Sequence, residues 1–227
     1  MPESDPEVNK ADGLVAAARE YARARHEGAG PSHDFSHVER VYRLVERIAA
    51  AEGADLLTVR LAALLHDTGR VRESVRGEEA DRHEELSATL AEPFLRGLGL
   101  DDGRVAAVLE AILCHRHRRG RPARSLEARC LYDADKLDSL GAVGAARAYL
   151  WLGEHGRSVY YPREGWMNID RANNASAVDS FQREWHIKLK GLKDRMYTAE
   201  GRRLAEERHR RMETILAWLE DEAGPIQ

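Results

Sequence analysis

Three clusters of histidine and acidic residues stand out in a chain of 227 residues that holds 10 histidines. The first reads His33-Asp34-Phe35-Ser36-His37. Its two imidazoles share one face if the following helix starts early. The second reads Leu64-Leu65-His66-Asp67-Thr68-Gly69. Adjacent helical residues point about 100° apart, so His66 and Asp67 reach a common point only beside the helix. A metal ion at that point takes one nitrogen and one oxygen ligand. The third reads Asp133-Ala134-Asp135-Lys136-Leu137-Asp138, flanked by apolar Cys130, Leu131 and Leu140. A carboxylate on so apolar a helix is expected to be buried, and a buried carboxylate needs a partner such as a cation. Combined, His37, His66, Asp67 and Asp135 offer two nitrogens and two oxygens from three helices. That mixed set suits Mn, Fe, Co, Ni or Zn rather than Ca or Mg, and leaves positions open for water or a phosphate oxygen.

The elements that must position these groups are helical throughout. Val38, Val41, Leu44, Val45 and Ile48 recur at three- and four-residue steps and mark one apolar helix face. Leu57, Leu61, Leu64 and Leu65 form a second stripe that Gly69 stops. A third stripe runs over Leu86, Leu90, Phe94 and Leu95, and a fourth over Val105, Val108, Leu109, Ile112 and Leu113 after a start at Asp101-Asp102. A fifth helix is expected from about 126 through 150, and two more over about 176–195 and 199–222. No alternating run of β-branched residues suggests a strand. The expected fold is all-α, with a flexible tail at 1–12 and a single helical domain at 13–227. Gly, Pro and Asn make 153–175 a loop, and residues 149–166 carry 5 of the chain's 14 aromatics. That loop is a candidate substrate lid through Tyr161 and Trp166, or a loop with its own small core.

Composition narrows the function class. The net charge is -4, which argues against a nucleic-acid binder with a basic face. No stretch approaches the roughly 20 apolar residues of a membrane span. The start MPESDPEVNKADG has neither the basic residues nor the apolar core of a signal peptide. With only Cys114 and Cys130, a disulfide framework is not expected, and the cytoplasm is the expected compartment. The one basic run, RHRRGRPAR at 116–124, reads as a solvated loop.

The ordered pattern H…HD…D on a helical chain resembles the HD superfamily of metal-dependent phosphohydrolases. The resemblance covers about residues 30–222. HDFSHVERV, LAALLHDTG, LYDADKLDSLGAVGAARAY and the tail KLKGLKDRMYTAEGRRLAEERHRRM look like a small bacterial subgroup that includes nucleotide pyrophosphohydrolases. The resemblance implies an HD-domain helical bundle and a divalent-metal hydrolase acting on phosphoester or phosphoanhydride bonds. It matches His37, His66, Asp67 and Asp135 to the metal ligands. The expected cofactor is one divalent transition metal, and the expected partner is a small phosphorylated substrate, a nucleotide. Neither nucleic acid nor membrane is expected as a partner, and a homodimer stays open.

Further residues have candidate roles within that reading. His83 follows Asp67 by 16 residues and His115 follows His83 by 32, an interval in which two-metal HD proteins place extra histidines. They either complete a second site or line the phosphate pocket. His115, at the end of an apolar helix, is a catalytic candidate with Asp67 and Lys136. His33, His83, Arg147, Lys190 and Lys193 are candidates for substrate, the cations holding phosphates. Asp34 could orient a histidine, Asp138 could orient Lys136 and Glu73 could assist a water. The competing functions are a di-iron oxygenase, which needs both His83 and His115 as ligands, and a non-catalytic nucleotide-binding protein. His209 is expected on the surface.

Overall fold

A computed structural model describes residues 6–30, 34–70, 83–116, 121–161 and 180–223. Among them there are nine α-helices and no strand. None of these helices is long and apolar enough to cross a membrane. They are α1 Pro6–Arg25, α2 Phe35–Glu52, α3 Leu56–Leu65, α4 His83–Gly97, α5 Asp102–Cys114, α6 Leu126–Leu137, α7 Gly141–Glu154, α8 Phe181–Ile187 and α9 Ala199–Ala223. Helix α1 takes in residues 6–12, which were expected to be a tail. The chain groups into two compact units, Met1–Asp135 with Tyr197–Glu200, and Lys136–Met196 with Gly201–Gln227.

The first unit is built around α3. Thr58, Val59 and Leu61 through Leu65 are all buried, so this helix has almost no wet face. Helices α1, α2, α4 and α5 pack on it, and α4 packs on α5. Three of the helix starts have a local cause. The side chain of Asp34 accepts from the Ser36 amide at 3.0 Å, Asp55 from Thr58 N at 2.7 Å and Asp101 from Arg104 N at 3.0 Å. These satisfy amides that have no partner inside the helix. Gly53 ends α2 in the left-handed region, at φ 79°, and returns its N–H to Ala49 O. Asp133, fully buried, accepts from Tyr197 N, Thr198 N and Thr198 Oγ1 at 2.9, 2.8 and 2.6 Å, just ahead of α9.

In the second unit the expected helix over 126–150 breaks. The chain leaves α6 at Leu137 and re-enters α7 through Gly141 at φ 73°, a value that favours glycine. Arg147 therefore sits on a different helix from Asp135. Its Nη1 lies 2.8 Å from Oδ2 of the fully buried Asp138. Phe181 is fully buried, with Tyr149 5.3 Å away between ring centroids. His209, expected on the surface, is buried 4.7 Å from the Trp185 ring.

The cap at Asp55 gives a pH-dependent prediction. Partial burial acts to raise its pKa, but the Thr58 hydroxyl and amide and the Arg104 guanidinium outweigh this and lower it. A lowered folded value adds stability above the unfolded carboxylate's pKa of about 3.9 and loses it as pH falls through the folded one. Asp55→Ala is expected to cost about 1 kcal/mol near neutrality. In urea unfolding followed against pH, the gap to wild type should shrink below pH ~4.

Candidate metal centre

The end of α3 delivers the site. His66 is the C-cap of α3 and Asp67 follows it; their exposures are 0% and 1%. His66 Nδ1 lies 2.7 Å from Ala63 O. A carbonyl only accepts, so Nδ1 carries the proton and Nε2 keeps a lone pair. His115 repeats the device as C-cap of α5, with Nδ1 2.6 Å from Ile112 O. Thus two histidines satisfy helix-end carbonyls and turn their Nε2 atoms inward.

Asp67 is the shared element. Its Oδ2 lies 3.6 Å from His37 Nε2, 3.7 Å from His66 Nε2 and 3.1 Å from Arg70 Nη1. Its Oδ1 lies 3.2 Å from His83 Nε2 and 3.7 Å from His115 Nε2. His37 Nε2 is also 3.4 Å from Asp135 Oδ1 and 3.4 Å from His66 Nε2. Two groups of three follow, each able to hold a metal ion: His37, His66 and Asp67, then Asp67, His83 and His115. The donor set fits a metal on a direct observation. Asp67 Oδ1 is buried and accepts no well-aligned hydrogen bond, although His83 is close. A buried anionic oxygen of this kind calls for a cation.

The electrostatics keep the ligand atoms in their binding forms. Burial would raise the Asp67 pKa, but Arg70, His66 and His83 more than offset it and hold the carboxyl well below the usual carboxylate range. Burial lowers the His66 pKa, with Asp67 offsetting part of the effect. Burial, and then His66, push His115 well below the usual imidazole value. An ionised carboxylate beside neutral imidazoles is the state a divalent ion binds.

The sequence-predicted residues separate. His37, His66, Asp67, Asp135, His83 and His115 come together. Of the third cluster Asp135 faces His37, Asp133 serves the start of α9 and Asp138 holds Arg147. Arg147 is thus engaged by a buried carboxylate. Lys136 follows Asp135 on α6. Lys190 is exposed, and Lys193 Nζ lies 3.1 Å from Glu206 Oε1. Tyr161 is half-buried, its hydroxyl accepting from Ser158 N at 3.2 Å. Asp34 caps α2. His33, Glu73 and Trp166 lie outside the described residues, as does most of the expected lid. Two residues were missed: Arg70 on Asp67, and Arg116, whose Nη1 lies 2.9 Å from His83 Nδ1. Arg70 carried no signal among so many arginines, and Arg116 opens the basic run that was expected to be a solvated loop.

The HD domain family model matches residues 34–140, a span that holds all six convergent groups. The YpgQ protein of Bacillus subtilis (strain 168) is 34% identical over 198 residues, 86% of this chain and 86% of that one. The chain belongs to the HD superfamily. Membership makes it a metal-dependent phosphohydrolase. The crystal structure of Bacillus subtilis YpgQ in complex with ADP has a TM-score of 0.71 and 29% identity, covering 94% of this HD chain and 96% of that one. An HD-superfamily hydrolase from Bacillus thuringiensis has a TM-score of 0.71 and 26% identity, covering 95% and 100%.

Gly69 tests how closely the HD turn is fitted. Its N–H donates to Ser87 Oγ at 2.9 Å, and an added Cβ would lie 2.8 Å from Ser87 N and 2.9 Å from the Leu86 side chain. Gly69→Ala must push α4, and with it His83, away from Asp67. We expect a loss of about 1–3 kcal/mol in stability and weaker Mn²⁺ retention, read by thermal unfolding and equilibrium dialysis.

Proposed function

We propose that this chain hydrolyses nucleotides, as a nucleoside triphosphate pyrophosphohydrolase that releases a monophosphate and pyrophosphate. The observation that carries this is the buried Asp67 carboxylate with imidazole nitrogens on both of its oxygens. The ADP bound to YpgQ supports a nucleotide as ligand. His37, His66, Asp67 and Asp135 would hold one divalent ion. When bound, such an ion polarises a phosphoryl oxygen and makes a water more acidic.

The remaining groups divide the proton work. His115 carries its proton on Nδ1, so its Nε2 is an acceptor. It suits removal of a proton from the attacking water rather than a direct grip on phosphate. The water oxygen then bonds to the α-phosphorus, and the bond from that phosphorus to the bridging oxygen breaks, with its electron pair leaving on pyrophosphate. Lys136, next to Asp135, is the cation we assign to the substrate's phosphates, where charge develops. Arg147, held by Asp138, drops from that role.

One observation favours a second reading. Asp67 stands in both groups of three, as a carboxylate bridging two ions would. A di-iron oxygenase would use that arrangement, and iron content per chain separates it from a hydrolase with one ion.

The deciding experiment is product analysis with Mn²⁺ across nucleoside mono-, di- and triphosphates. Pyrophosphate is expected from the triphosphates; inorganic phosphate alone would overturn the site of cleavage. Asp67→Ala should lose both Mn²⁺ retention and turnover while helical circular dichroism stays nearly intact. His115→Ala should lower turnover at least tenfold, about 1.4 kcal/mol of transition-state stabilisation, with one equivalent of Mn²⁺ still bound.

A further inference from the structure

The four buried imidazoles look interchangeable by distance, but hydrogen-bond direction separates them. His66 and His115 each place Nδ1 against a backbone carbonyl, which only accepts. His83 places Nδ1 2.9 Å from Arg116 Nη1. A guanidinium only donates and does not lose its proton in proteins. His83 Nδ1 must therefore be the acceptor, and the imidazole proton must sit on Nε2. That Nε2 lies 3.2 Å from Asp67 Oδ1 and 3.3 Å from His115 Nε2, the lone-pair nitrogen. A donor at His83 facing an acceptor at His115 is consistent without an ion between them. Arg116 Nη1 also lies 3.5 Å from Oε2 of buried Glu84.

We infer that Arg116 is a positioning residue that locks His83 as the Nε2–H tautomer, making His83 a hydrogen-bond donor instead of a metal ligand and limiting the centre to one divalent ion. A neutral imidazole ligates only through a nitrogen without a proton, and Arg116 occupies the only such nitrogen of His83. The second group of three thus lacks one of its ligands in the protein as folded. The His83 Nε2–H points at Asp67 Oδ1 and at the acceptor on His115, the side from which it would donate to an anionic oxygen of a bound substrate. The inference rests on the reading of this centre as a phosphohydrolase site with one ion.

Two readouts taken without substrate test it. Nitrogen-15 spectra of the full-length, metal-free protein should show His83 protonated at Nε2 and His66 and His115 at Nδ1. Equilibrium dialysis with Mn²⁺ alone should give one equivalent per chain in wild type. Arg116→Met removes the donor, so it should release the tautomer and raise the content to two equivalents. Arg116→Lys, which also only donates, should restore one. Two equivalents in wild type, a proton on Nδ1 of His83, or a folded Arg116→Met that stays at one equivalent would each overturn the proposal. The wild-type spectrum needs no variant, so it decides even if Arg116→Met does not fold. If nucleotides were not hydrolysed, the functional reading would fall while both readouts kept their meaning.

Discussion

An ionised carboxylate at 1% exposure is the constraint around which the first unit is arranged. Removing such a charge from water costs several kcal/mol even after relaxation, so every neighbour of Asp67 must contribute compensation. Oδ2 receives Arg70, Oδ1 has His83 Nε2 at 3.2 Å, and the remaining imidazoles stand within 3.7 Å. This explains why the most apolar helix of the unit ends in the most polar cluster. Helix α3 is buried continuously over its last five residues, Leu61 to Leu65, so whatever follows its last residue starts out inside the core. The carbonyls at its end cannot reach water there. His66 Nδ1 takes Ala63 O and Thr68 Oγ1 takes Leu65 O, so the functional turn is also the cap that lets the helix stop indoors.

This coupling of capping to chemistry accounts for what could be read from residues alone. Histidines at the ends of apolar stripes had to be buried and partnered, and His66 and His115 are. The all-α class followed from three- and four-residue periodicity, which depends only on neighbours along the chain. What could not be read depends on neighbours across it. Asp133, Asp135 and Asp138 share one apolar context, and nothing local says that the first serves an amide pair, the second faces His37 and the third holds an arginine. The helix expected over 126–150 kept its apolar rhythm across residues 138–140, so periodicity passed over the break that Gly141 permits. His209 was expected at the surface, yet it packs on Trp185. Arg70 was invisible among 35 basic residues, and Arg116 was read only as the first residue of a solvated basic run, because their importance is a matter of which atom they touch.

Helix polarity explains why one of the inward-facing histidines is wired differently. A helix ends in carbonyls without partners and begins in N–H groups without partners. His66 and His115 end their helices, so the nearest group behind each ring is an acceptor, and the proton goes to Nδ1. His83 instead opens α4, the end of a helix that presents N–H groups. Its Nδ1 meets a donor instead, supplied by Arg116 just past the end of α5. The same imidazole thus becomes acceptor or donor toward the centre according to which end of a helix it occupies. A site that must both take a proton from water and give a hydrogen bond to an anionic oxygen needs one of each. Placing one histidine after α5 and the other before α4, on two helices that pack together, supplies that pair from a single residue type.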